Sequence, residues 1–325
     1  MDTFVQQLVN GVTLGAVYAV VALGYTMVYG IIQLINFAHG EVVMIGAMVA
    51  FTVIPILAAA GLPPVVAVAL GTACAVPVCM AVGYAMERLA YRPLRRAPRL
   101  APLITAIGVS IVLQHLAMMI WSRNVLAFPQ IIPLVTFSVG GATMTGVQIA
   151  IVAICAAMMA GLAWLVYRTR LGCAMRATAQ NPQVAALMGV DIDRVIAATF
   201  VIGAAMAAVA GVMFGTYYGV AQYTMGSILG LKAFSAAVLG GIGNVPGAML
   251  GGILLGVVEA LGAGYIGDLT DLCRWGLGPA ERCADGGHFV LFGSNYQDVF
   301  AFVVLILVLV FRPSGLLGER VGERA

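Results

Sequence analysis

The chain is punctuated by long apolar runs, and a run of about 20 such residues is what an α-helix needs to cross the hydrocarbon of a bilayer. These runs lie near 5–29, 42–60, 64–86, 101–121, 147–167, 195–218, 247–264 and 296–311, with a shorter one near 227–242 that carries Lys232. With 62% hydrophobic and 9% charged residues, too little polar surface is left to hold a domain in water. The expected fold class is an all-α, polytopic transmembrane helical bundle of about 8–9 spans with broken helices. Unbroken runs of this length exclude a porin-type barrel, whose strands alternate apolar with polar. The first run, from about Phe4 to Tyr29, is too long and lacks the basic flank of a signal peptide, so it is read as a retained span. The 40 glycines suit helices that pack backbone to backbone.

Basic loops stay on the cytoplasmic side of a membrane. "RLAYRPLRRAPR" supplies Arg88, Arg92, Arg95, Arg96 and Arg99, and the next long polar loop supplies Arg168, Arg170, Arg176 and Arg194. Both loops are therefore expected inside. Arg312, Arg320 and Arg324 put the C-terminus inside too, and parity places the N-terminus outside if 227–242 counts as a crossing. Two loops then face outward, at about 122–146 and 265–295. The first reads as a small hairpin or cap. The second contains Cys273 and Cys283, which form a disulfide if that side is oxidising and otherwise stay as thiols. The net charge of +3 reflects this topology, with no basic aromatic surface for nucleic acid.

Polar residues inside apolar runs are the functional candidates, because each must find a partner or face water. In "LINFAHGEVVMIGA" a break falls between two spans, with Asn36, His39, Gly40 and Glu41 at it. Two readings stand. In one, Asn36 or His39 caps backbone groups while Glu41 sits in the favourable field of a helix start; in the other, the break lines or gates a permeation path. A weaker echo occurs at "LGGIGNVPGAMLGG", where Asn244 precedes another glycine-rich run. Lys232 and Glu259 either compensate one another or part, with Lys232 reaching outward. Gln114 and His115 lie mid-span, and no His or Cys stands at metal-ligand spacing.

In the loop at about 168–194, "AQNPQVAALMGV" has Asn181-Pro182 as a helix start, apolar residues Val184, Leu187 and Met188 at helical spacing, and Gly189 as a stop. Such a short amphipathic helix either lies on lipid or under the bundle, or serves as a knob for a soluble partner. No GxxxxGK[ST] phosphate loop occurs, so the chain is expected not to be an enzyme and not to hydrolyse ATP.

This loop, followed by "FVIGAAMAAVAG", "GLKAFSAAVLGGIGNVPGAMLGGILLG" and "RPSGLLG", and preceded by "LGYTMVYGIIQLINFAHGEVVMIGA", resembles the permease subunits of bacterial ATP-binding-cassette importers for branched-chain amino acids, specifically the first of their two permease types. The resemblance runs from about Leu8 to Gly318. It implies a single permease domain over 1–325 in the bacterial cytoplasmic membrane, carrying leucine, isoleucine or valine. It also implies a second permease as a heterodimeric partner, two cytoplasmic ATPases that bind ATP and Mg, and an external solute-binding protein. The chain itself is expected to hold no cofactor. The coupling roles implied are Asn181 and Pro182 as helix start, Ala185, Ala186 and Leu187 as contact face, Gly189 as turn, and Arg176 and Arg194 as partners for acidic groups on the ATPase or for lipid phosphate. Related permeases carry urea and short-chain amides, which stays open. So does an ion-coupled secondary transporter using Glu41, Glu259 and Lys232, whereas an intramembrane enzyme finds no supporting constellation.

Overall fold

A computed structural model describes residues 2–95, 97–98, 100–133, 135–139, 141–270, 290 and 296–318. Cys273, Cys283, Arg96, Arg99, Arg320, Arg324 and most of the loop at 265–295 lie outside the described residues. Eleven helices occur in chain order: α1 (Asp2–Ile32), α2 (His39–Ala59), α3 (Pro64–Met86), α4 (Leu100–Ile120), α5 (Gly146–Arg168), α6 (Arg170–Gln180), α7 (Pro182–Leu187), α8 (Ile192–Tyr218), α9 (Met225–Gly240), α10 (Val245–Leu269) and α11 (Gln297–Phe311). A π-turn, Glu87–Tyr91, prolongs α3. Short strands β1 (Leu126–Ala127), β2 (Thr136–Val139), β3 (Ala142–Thr145) and β4 (Val220–Ala221) complete the described residues.

Among these residues seven helices are long and apolar enough to cross a membrane, with α9 and α11 as shorter apolar helices, matching the expected spans. The chain is a multi-pass membrane protein.

Hydrogen bonds fix the two ends of the bundle. At one end β2 and β3 form the expected hairpin, and its Thr143 exchanges bonds with Gln6 of α1 at 2.8 and 3.1 Å. The capping box of Thr145 and Gln148 starts α5 there. At the opposite end, α6 and α7 lie beside the last turn of α1, and Arg95 pairs with Asp193 at the start of α8 (2.5 Å) and with the buried Glu87. Arg92 also binds Asp193.

The centre is a seam of small residues. Gly11, Gly15 and Ala19 of α1, one turn apart, face Gly252, Gly256 and Ala260 of α10. A Cβ on Gly256 would lie 2.3 Å from the Cα of Gly15, so the two backbones touch as closely as glycine permits. The tail after α11 closes the far end: Leu316 and Leu317 donate backbone N–H groups to the carbonyls of Leu239 and Gly240. These are carbonyls that the end of α9 leaves without helical partners. "RPSGLLG" is thus the C-terminal cap of α9.

Candidate functional site

The chain breaks after α1 at Gln33, whose φ of 55° ends the helix, and α2 restarts at His39. The break lies deep in the bundle, since the His39 ring packs against Gly24 within α1 and near Gly203 within α8. Asn36, buried, closes the turn. Its Oδ1 accepts from the Ala38 amide (3.1 Å) and from the Tyr91 hydroxyl (2.8 Å), tying the break to the π-turn after α3. His39 caps nothing: it meets Tyr25 edge-on at 4.8 Å, and its Nε2 has no hydrogen-bond partner among the described residues. Gly40 permits α2 to cross α9, because a Cβ there would lie 2.2 Å from the Gly226 carbonyl oxygen.

Glu41 sits in the first turn of α2 and is fully buried. Its carboxylate reaches across to two other helices. Oε1 accepts from Gln114 Nε2 at 2.8 Å, Ser110 Oγ at 3.0 Å and Ser227 Oγ at 3.3 Å, while Oε2 has no hydrogen-bond partner among the described residues and faces Gly226. Gln114 also donates to Ser227 at 2.5 Å. This cluster joins α2, α4 and α9 and reaches the surface at Ser227, beside exposed Ile228 and Leu231. Exposed polar groups on a membrane face mark contact with water or with another polar surface rather than with lipid.

On the other side of α9, Lys232 is buried and bound. Its Nζ lies 2.7 Å from Glu259 Oε1, 2.6 Å from Asp298 Oδ1 and 3.3 Å from the Tyr18 hydroxyl. Lys232 and Glu259 therefore do compensate one another, and Lys232 does not reach outward. Asp298 and Tyr18 were not among the expected partners. An acid in the first turn of α11 reads, by sequence, as a group that suits the helix dipole. Ser110 and Gln114 did carry a signal: four residues apart, they share one face of an otherwise apolar helix.

Asn244 serves a different purpose from the break at Asn36. Its Oδ1 accepts from the Gly247 amide at 3.3 Å and its Nδ2 donates to the Leu317 carbonyl at 2.7 Å, so it caps α10 and pins the tail. This replaces the expectation that Asn244 lines a pathway: both its polar ends are used by backbone.

At the α6–α7 end, Asn181 caps α7 by accepting from the Gln183 and Val184 amides at 3.0 and 3.1 Å, with Pro182 in the first turn. Gly189 has φ +85° and closes the turn into α8. The exposed face is Val184, Ala186, Leu187 and Met188, with Leu187 86% and Met188 80% exposed. Two expectations are corrected here. Ala185 is only 4% exposed and faces the protein, because a helix of six residues must bury one side to stay attached. Arg176 donates to the Val166 carbonyl near the end of α5 and lies over the Tyr167 ring, so its charge serves a helix terminus of its own chain. Arg194 pairs with Asp191 at 2.9 Å while remaining largely exposed.

Among the described residues no group of three or more His, Cys, Asp or Glu is placed to hold a metal. Cys74, Cys79, Cys155 and Cys173 are free thiols.

The family described as branched-chain amino acid transport system / permease component matches residues 7–309. The high-affinity branched-chain amino acid transport system permease protein BraD of Pseudomonas aeruginosa is 48% identical over 97% of this chain and 96% of its own length. The LivH protein of Escherichia coli K12, of the same description, is 44% identical over 97% and 96%. A probable branched-chain amino acid transport permease protein LivH of Methanocaldococcus jannaschii is 24% identical over 91% and 87%. No solved structure matches the chain. A match spanning nearly all of a polytopic bundle, with its broken second helix and its exposed α7, makes the chain a member of the branched-chain amino acid transport system permease family.

Proposed function

We propose that the chain is the translocation subunit of an ATP-driven importer for leucine, isoleucine and valine, assembled with a second permease, two cytoplasmic ATPases and an external solute-binding protein. The observation that carries this reading is the nearly full-length similarity to BraD and LivH. ATP and Mg belong to the ATPases; this chain supplies the path and the lever. The lever is α7, whose Leu187 and Met188 offer apolar contact to a cleft on an ATPase, on a helix braced by Ala185 and Asn181. The arginine-rich ends of α3, α5 and α6 favour a cytoplasmic position for that helix, with the hairpin outside. The path runs along the exposed stripe of α9 at Ser227, Ile228 and Leu231, where the Glu41 cluster meets the surface that faces the second permease.

The test is labelled leucine uptake into proteoliposomes holding the complete assembly, with and without internal ATP, for native protein and for Leu187→Glu and Gly189→Trp. A Cβ at Gly189 meets nothing within 4 Å, so the Trp variant disturbs a docked partner rather than the chain's own core. Expected is ATP-dependent uptake that both variants lose. Uptake driven by an ion gradient alone would instead establish a secondary transporter.

A further inference from the structure

The ion cluster behind α9 does not balance. An ammonium has three N–H donors, and Glu259, Asp298 and Tyr18 use all of those on Lys232. Two carboxylates face one cation, and among the described residues no second cation pairs with either. Glu259 is 1% exposed, and its Oε2 has no hydrogen-bond partner among those residues. A surplus negative charge held this far from water is costly unless something positive joins it.

Lys232 also lines a cavity of about 210 Å³ between α1, α8 and α9, next to Gln297 at the start of α11. One part of its wall is polar: Gln222, Thr224 and Gln297, whose side chains make no hydrogen bond to another described residue. The other part is apolar, with Phe214, Met225 and Ile228. A cavity of ~150 Å³ admits a six-carbon ring, so this one has room for an aliphatic amino acid of the same carbon count. The wall thus pairs an aliphatic surface with unused amide and hydroxyl groups, beside a cluster short of one positive charge.

We propose that this cavity is a binding site for a zwitterionic aliphatic amino acid, its ammonium turned to the surplus carboxylate at the Gln297–Asp298 rim and its side chain laid on Phe214, Met225 and Ile228. The site rests on the transport reading above and adds to it a station inside the permease, apart from the selection made by a binding protein. It makes the ammonium end, rather than the carboxylate, the end that this subunit reads.

The assembled permeases and ATPases, in lipid nanodiscs without binding protein, are irradiated with a leucine analogue carrying a diazirine in its side chain, and adducts are mapped by mass spectrometry. Expected are adducts on Phe214, Met225 or Ile228 that excess leucine removes and that Ile228→Trp abolishes, a substitution at an exposed position outside the ion cluster. Isopentylamine, which keeps the ammonium, protects about tenfold better than 4-methylpentanoate, which keeps the carboxylate. Leucine-sensitive adducts only elsewhere, adducts unchanged by Ile228→Trp, or better protection by 4-methylpentanoate overturns the site. ATP-driven uptake by the same assembly with binding protein is read separately. An assembly that imports without labelling the cavity sinks the site alone, and one that labels it without importing sinks the importer reading alone.

Discussion

Asn36 and Glu41 hold the broken stretch together through side-chain bonds that few positions could supply. Asn36 Oδ1 has two donors, one from the backbone and one from Tyr91. Asn36→Ala leaves both without their acceptor at a buried site, a loss of about 2 kcal/mol or more, whereas Tyr91→Phe removes one neutral bond worth about 1 kcal/mol. Thermal unfolding of the two variants and their double mutant in detergent measures this, and equal losses for the singles would show that the Ala38 bond contributes nothing. Glu41 separates structure from transport. Glu41→Ala strands Ser110, Gln114 and Ser227 and is expected to destabilise the protein by about 1–3 kcal/mol. Glu41→Gln keeps an acceptor for them, so the fold should survive with a change of about 1 kcal/mol or less. Uptake by the Gln variant is expected to fall, because a neutral amide no longer offers charge at the α9 surface. Full activity would reduce Glu41 to a hydrogen-bond acceptor.

Between helices, the α1–α10 seam is where a single methylene matters most. Gly256→Leu meets the Gly15 backbone and cannot be relieved by a rotamer change, so the two helices must separate. The matching control is Gly108→Leu on α4, where an added Cβ meets nothing within 4 Å. Size-exclusion chromatography should show the first variant aggregated and the second monodisperse, and two identical profiles would mean that the seam is not structural. The spans were legible because hydropathy is a local property, and the glycine spacing of the seam was visible too. Which helix each glycine row met was not, because pairing is set by tertiary packing. For the same reason Lys232 could be matched to Glu259 one helix away but not to Asp298, on a helix beyond it in the chain. The short α7 hid its orientation: six residues carry no repeated period, so the buried side at Ala185 could not be told from the exposed side at Leu187. Asn244 looked like Asn36 because an Asn before a glycine-rich run is ambiguous until the tail that it binds is in place.

For the whole molecule, function depends on which way the bundle sits in the bilayer. The two ends differ in kind: one holds the β2–β3 hairpin, the other α6, α7 and the Arg92–Arg95–Asp193 cluster. Basic residues resist translocation, which favours the second end as the cytoplasmic one, where ATPases can reach α7. Cys173, exposed on α6, is a native probe of that end, and Ser138→Cys in the exposed hairpin probes the other. With Cys273 and Cys283 replaced by Ser, a membrane-impermeant maleimide applied to intact cells should label the hairpin thiol and spare Cys173, and inverted vesicles should reverse the pattern. Labelling of Cys173 from outside would place α7 away from ATP. The coupling role of Leu187 would then fail whatever its sequence resembles, since no ATPase could push on a helix across the membrane from its nucleotide. The expected pattern instead sets α7 and the hairpin at opposite faces. A push at α7 then reaches the outer half of the bundle through α8, which spans from one end to the other and leads directly into the β4–α9 break beside Ser227.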